Sequence, residues 1–230
     1  MCRMFAYVGS SHAELNGLYI ALKKAAMHDR TLTWIDDKQH RDGWGCVILN
    51  GSNLIYHRSM NPIFNDAFSI PRISGKTYAI FHARKARKGT KKIGLPVFSH
   101  PFMAETDSST IFLAHNGSLT DPIPDTKVDS EIALKMITER GSLKRALGTL
   151  KKRDERGLNL LVLTIHRTTR EAKLEYLNYW NKKTVKMEKY QYYRLYKKRL
   201  KAGSAVFSST LGDWLGGTKT EYGKVMALVG

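Results

Sequence analysis

Runs and alternations of apolar residues divide the chain into many short strands and a few helices. β-favouring segments fall at residues 3–8, 45–49, 53–58, 77–82, 110–114, 158–166, 173–179, 205–209 and 224–228. Between two of them, Asn50-Gly51 predicts a hairpin turn, because both residues tolerate positive φ. Ser11-His12-Ala13-Glu14 has the capping-box pattern and opens a helix whose apolar side runs through Leu15, Leu18, Tyr19, Leu22 and Ala26. Residues 129–140, closed by Gly141, predict a second helix, and Ser142 can cap a third that reaches about Lys152. Gly212-Asp213-Trp214-Leu215-Gly216-Gly217 lacks the ending of a phosphate loop and reads as a turn. Strands in this number, with two or three helices and short turns, predict an α+β fold of antiparallel sheets covered by helices. No repeat or low-complexity linker interrupts the 230 residues, so one unit over residues 1–230 is expected.

Composition supports a folded chain, with 42% hydrophobic and 25% charged residues. The net charge of +18 sits in three places: residues 84–92, 140–156 and 182–201 hold 22 of the 38 basic residues and 3 of the 20 acids. The rest of the chain is close to neutral. Residues 181–201 interleave lysines and arginines with Tyr190, Tyr192, Tyr193 and Tyr196. That mixture admits two readings, a phosphate- and base-binding patch or a surface helix with its lysines in water. No nucleic-acid-binding signature accompanies it, and the long basic loop after Ala83 suggests function or mobility rather than core. Two cysteines make no disulfide framework, and no apolar run approaches the roughly 18 residues of a membrane helix. A protein without a membrane span, secretory signal or lipid anchor is expected, and cytoplasm is its default compartment.

The residue with the most chemistry is Cys2. Removal of Met1 would make it N-terminal and unite a nucleophile and a base in one residue. An α-amine with a pKa near 7.7 to 8.0 is partly free at neutral pH and can take the thiol proton. Read by itself, Cys2 is more simply a chance cysteine or a small apolar residue beginning a strand, and Cys46, inside an apolar strand, reads as a core thiol.

Three further stretches bear on Cys2: His40-Arg41-Asp42-Gly43-Trp44-Gly45, His82-Ala83-Arg84 at a strand end, and His115-Asn116-Gly117 at another. His100-Pro101-Phe102 and Asp129-Ser130-Glu131 complete the set. In this order the motifs resemble those of the class II glutamine amidotransferases, the Cys-type N-terminal-nucleophile hydrolases. The resemblance is greatest to their stand-alone branch, which begins Met-Cys-Arg and carries HxDGWG, HxR, HPF and HNG motifs. It implies a four-layer αββα sandwich of antiparallel sheets and a glutaminase domain that cleaves glutamine or another γ-glutamyl compound. No metal or organic cofactor is implied. Cys2 matches the nucleophile, while Asn116 and Gly117 match the oxyanion hole. Arg84 matches the arginine that grips the α-carboxylate, and Asp129 the acid that receives the α-ammonium. Arg84 also reads as a surface charge and Asp129 as a helix cap. Trp44 could line the pocket or fill the core and is taken as a substrate-binding wall residue, and His40 carries no chemical step. His82 and His115 read as hydrogen-bonded structural histidines, unneeded as bases if the α-amine serves. The sequence departs from the family pattern after Ala86, where Arg87 replaces the usual Thr or Ser. With no room for a synthase domain, ammonia would pass to a separate partner or the enzyme would act alone. The alternative is a basic module that binds nucleic acid or an acidic partner on an unused hydrolase fold.

Overall fold

The structure, a computed structural model, describes residues 2–86, 98–120 and 128–230. Most of the basic run 84–92 and the acids between 121 and 127 lie outside the described residues. In chain order the elements are β1 (Arg3–Gly9), α1 (His12–Met27), β2 (Trp44–Asn50), β3 (Asn53–Ser59), β4 (Thr77–Ala83), β5 (Phe102–Glu105) and β6 (Ser109–Leu119). There follow α2 (Asp129–Arg140), α3 (Leu143–Lys152), β7 (Asp154–His166), β8 (Ala172–Leu177), β9 (Leu195–Arg199), β10 (Gly203–Ser208), α4 (Ser209–Leu215), β11 (Thr218–Lys219) and β12 (Val225–Leu228).

Among the described residues, seven strands form one sheet in the order β11-β9-β10-β1-β4-β2-β3, and five form a second in the order β12-β8-β7-β6-β5. Every pairing is antiparallel. The period of two explains the layering. Along β1, Met4, Ala6 and Val8 enter the core between the sheets, while Phe5 and Tyr7 face the layer that holds α1 and α4. Strands buried on both faces read as continuous apolar runs. The α2 and α3 helices cover the second sheet through Ala133, Leu134, Ile137, Ala146 and Leu150. The result is the αββα sandwich.

Several local expectations shift. Ser11 caps α1 by accepting the Glu14 N–H at 3.3 Å, but the Glu14 carboxylate accepts from Ala202 N and Tyr7 Oη instead of closing the box. The β2–β3 turn falls on Gly51 and Ser52, since Asn50 and Asn53 already pair. Residues 181–201 are not a helix: a single 3₁₀ turn, Met187–Lys189, leads into β9. Leu195 packs between the sheets while Tyr196 and Leu200 pack toward α1, a strand alternation hidden among the lysines. The stretch 212–217, read as a turn, mostly belongs to α4, which α1 contacts. Among the described residues no helix is long and apolar enough to cross a membrane.

Candidate active site

On the inter-sheet faces Cys2, just before β1, His82, near the end of β4, and Asn116 continue the rows Met4-Ala6, Ile80 and Ala114; the expected strand end at His115-Asn116-Gly117 lies inside β6, which pairs with β7 as far as Leu119. Cys2 is buried, and its backbone nitrogen donates to Asn116 Oδ1 at 2.9 Å. That bond turns the Asn116 amide so that Nδ2 is left buried with no partner. A buried donor without an acceptor is costly, and a ligand oxygen would satisfy it. The next residue has to be glycine, because a Cβ at Gly117 would lie 1.6 Å from the Gly157 carbonyl oxygen. A Cβ at Gly45 would likewise meet the His100 carbonyl at 2.4 Å, so this glycine of the HRDGWG turn lets the His100 segment close over β2.

The Cys2 thiol lies well below the ordinary thiol range. Burial pushes it up, but the charge of the chain's amino terminus, the adjacent His82 and the Lys85 N–H together outweigh burial. Two more histidines stand near, His100 with its ring centroid 4.1 Å from that of His82, and His115, which meets Ser130 Oγ at 3.0 Å and the Gly157 carbonyl at 3.4 Å. Burial and the charges of His82, His115 and Arg84 drive His100 far down, so it is neutral at physiological pH.

Arg84 is buried rather than a surface charge, and its Nη1 donates to the Asp42 carbonyl at 3.1 Å. Burial lowers its pKa while the charges of Cys2 and Asp42 oppose. Asp129 stands at the first position of α2, after the cap residue Val128, so the cap expectation fails: it is Glu131 that accepts the Val128 N–H. The Asp129 carboxylate instead accepts from Leu119 N and Ser130 Oγ, each at 3.3 Å. Through Ser130 and His115 it connects to the stretch of β6 that carries Asn116.

Trp44 is not a pocket wall. It has no exposed surface, lies on the α1 side of the sheet with Cys46 and Ile48, and packs on Tyr19, Phe68 and Phe81. Its Nε1 donates to Asp66 Oδ2 at 3.0 Å. Along β2, side chains alternate faces, and Trp44 takes the face opposite the one Cys2 extends. Cys46 is a core thiol whose pKa burial raises.

One network has no signal in the sequence. Asp29, fully buried after α1, accepts from Arg3 Nε at 2.6 Å, meets His40 Nε2 at 2.7 Å, and also bonds Thr31 and Thr210. Arg3 lies 3.8 Å over the Tyr192 ring and donates to the Tyr192 carbonyl at 3.3 Å. The residue beside Cys2 is therefore anchored from below. The aromatic residues of the basic segment are committed elsewhere: Tyr192 and Tyr193 are buried, while Lys182 and Lys189 lie over Tyr222 and Trp34.

A second buried acid is unused. The Asp154 carboxylate is buried, and the backbone N–H groups of Arg156 and Gly157 approach it without completing a well-formed hydrogen bond. Burial pushes its carboxyl up to about 7, with the N–H groups of Arg156 and Gly157 opposing and Glu155 adding to the rise. An acid whose folded pKa is raised costs stability as pH climbs from about 3.9 toward 7, by at most about 1.4 kcal/mol per pH unit before solvent screening. Asp154→Asn cannot ionise. Its melting temperature is expected to match the parent's near pH 4 and exceed it at pH 8; parallel melting curves across that range would refute the assignment.

No protein-family model matches the chain, and no curated protein matches it in sequence. Solved structures do match it. Glutamine phosphoribosylpyrophosphate amidotransferase from B. subtilis, complexed with ADP and GMP, superposes with a TM-score of 0.64 at 18% identity, covering 98% of this chain and 47% of that one. A structure described as the allosteric regulatory enzyme of purine biosynthesis gives 0.65 at 18% identity, with 97% and 46% covered. A predicted glutamine amidotransferase from Pseudomonas aeruginosa PA01 gives 0.50 at 16% identity, with 100% and 93% covered. The chain spans about half the length of the first two. At these identities the likeness is one of fold, and that fold is the N-terminal-nucleophile hydrolase sandwich of the glutamine amidotransferases.

Proposed function

We propose that the protein is a glutamine amidotransferase-like amidohydrolase that cleaves the side-chain amide of glutamine or a related γ-glutamyl compound through a Cys2 thioester. The observation that carries this reading is the Cys2–Asn116 bond, which leaves Asn116 Nδ2 buried, unpartnered and next to a thiol of lowered pKa. The Cys2 sulfur attacks the amide carbon, and Asn116 Nδ2 with the Gly117 N–H receives the developing oxyanion. A donor of that kind is worth about 2.7 to 4 kcal/mol of transition-state stabilisation. Arg84 takes the α-carboxylate and Asp129 the α-ammonium of the substrate. Collapse of the tetrahedral species expels ammonia or an amine, and water hydrolyses the thioester. The resemblance assigns the thiol proton to the α-amine freed by removal of Met1. The product amine passes to a separate acceptor protein or is simply released.

The test is a panel of glutamine and γ-glutamyl amides with protein whose loss of Met1 is verified by intact mass. Release of ammonia or amine, with a transient γ-glutamyl mass increase on Cys2, is expected. Absence of turnover across the panel would overturn the reading in favour of a binding module on this fold.

A further inference from the structure

The core between the sheets does not close where β9 faces β12. Along β9, Leu195, Lys197 and Arg199 alternate with Tyr196 and Lys198, and the register sets Lys197 opposite Val206 and Arg199 opposite Ser204 of β10. Leu195 and Val206 belong to the core between the sheets, so Lys197 and Arg199 stand on the same inner face. Core packing calls for apolar groups there. The structure instead has a cavity of about 510 Å³, with Lys197, Arg199 and Ser204 on one wall and Tyr176, Met226 and Leu228 of the second sheet on the other.

The two walls differ in chemistry. Tyr176 and Leu228 are buried and Met226 partly so, which makes the second wall apolar. Lys197 and Arg199 line the cavity yet are exposed, as long side chains are when the stem covers apolar surface and the charged head reaches water. Arg199 Nη1 donates to Ser204 Oγ at 3.2 Å, which ties the guanidinium to β10. The neighbouring acids are engaged with other lysines. Glu221 feels the charge of Lys197 but pairs with Lys224 at 2.8 Å, and Glu175, on the face of β8 opposite Tyr176, pairs with Lys173 at 2.7 Å. Among the described residues neither Lys197 nor Arg199 forms an ion pair. An inward charge can also guard a sheet edge, but β11 pairs with β9 at Tyr196 and Lys197, so at Lys197 the strand is not an edge.

We propose that this cavity binds a small amphipathic monoanion, a carboxylate on an apolar chain. The chain lies against Tyr176, Met226 and Leu228, and Arg199 with Lys197 holds the carboxylate at the mouth. A guanidinium matches a carboxylate with two parallel hydrogen bonds, and Lys197 adds a point charge. Burial of the apolar chain supplies affinity, while the cations select the sign of the charge. The site is separate from Cys2: the far end of β1, where Val8 pairs with Ser204, lies about 20 Å from it along an extended strand. Occupancy is therefore independent of the chemistry proposed at Cys2.

Methionine methyl NMR reads the site directly, because Met226 lines it while Met103 and Met187 are exposed elsewhere. Decanoate is the probe, titrated below its micelle-forming concentration into protein carrying ¹³C at the methionine methyls, with Met226→Leu to assign the signal. A saturable shift of the Met226 methyl is expected, with Met103 and Met187 unmoved. Acetate, which lacks the apolar body, and decyltrimethylammonium, which carries the opposite charge, are expected to leave Met226 unshifted at the same concentration. Lys197→Gln combined with Arg199→Gln is expected to raise the dissociation constant for decanoate roughly tenfold or more. Thr218→Glu, at an exposed position of β11 opposite Lys197, sets a carboxylate beside that cation and is expected to weaken binding with β9 unaltered. Melting curves establish that each variant is folded, and if the double variant is not, Thr218→Glu decides. A Met226 methyl unmoved by decanoate, an equal shift with decyltrimethylammonium, or undiminished affinity in the folded variants overturns the proposal.

Discussion

Cys2→Ala is expected to abolish release of ammonia or amine from any substrate the parent cleaves, a loss on the order of 10⁴-fold or more, while the protein stays folded. The magnitude follows from covalent catalysis, in which the remaining oxyanion donors act on water alone. No second thiol can substitute. Cys46 lies on the other face of the sheet, buried in the cluster with Phe81 and Trp44, and burial disfavours its thiolate. The structural cost is small, because the change removes one sulfur atom from a free thiol at the edge of the inter-sheet core, about 1 kcal/mol of burial. Ammonia release and a melting curve on one preparation check both halves. Residual turnover above about 1% of the parent would show that the thiol is not the nucleophile. Unlike a change at Arg84 or Asp129, to which the proposal gives the two ends of the amino acid, this one leaves the proposed binding charges in place, so it separates chemistry from binding.

The candidate site was legible where one residue type has few uses. A cysteine at position 2, an Asn-Gly at a strand end and an arginine two residues after a histidine belong together in the motif pattern. The structure brings Cys2 and Asn116 into contact and sets Gly117 hard against Gly157. Trp44 was not legible, because an aromatic in a glycine turn suits a pocket and a core equally; strand parity decides, and parity depends on where β2 begins. Asp129 was half legible, since acids at helix starts are ordinary and only Val128 at the cap frees its carboxylate for Leu119 and Ser130. Residues 195–199 were misread because Lys197 and Arg199 occupy positions where a buried strand would carry apolar groups, so charge masked the period of two. Asp29 carries no local signal at all. Its role comes from a contact across the fold, with Arg3 26 residues away.

Asp29→Ala is expected to be the most destabilising single change among the residues around the site, by about 3 to 5 kcal/mol. Both Asp29 and Arg3 are wholly buried, so deletion of the carboxylate leaves a guanidinium in the interior with its strongest acceptor gone. His40, Thr31 and Thr210 lose an acceptor at the same time. For a chain of this size the loss corresponds to a fall of roughly 10 °C in melting temperature. Burial raises the Asp29 carboxyl, but the Arg3 guanidinium and the His40 bond more than reverse this and hold it far below the usual carboxylate range. A depressed acid contributes stability that is full above about 3.9 and lost as pH falls toward the folded value. The parent should therefore lose this contribution in acid, and the gap between parent and Asp29→Ala should narrow as pH drops below about 4. Activity is expected to fall beyond what the unfolded fraction explains, because Arg3 adjoins Cys2 and is held in place by Asp29, Thr31 and Tyr192. Removing both charges, as in Asp29→Leu with Arg3→Met, should cost less than the sum of the single changes, since no unpaired ion is then left inside. Melting curves of the four proteins between pH 3 and 8 measure the coupling; additive losses with no dependence on pH would show that the pair does not hold the start of β1.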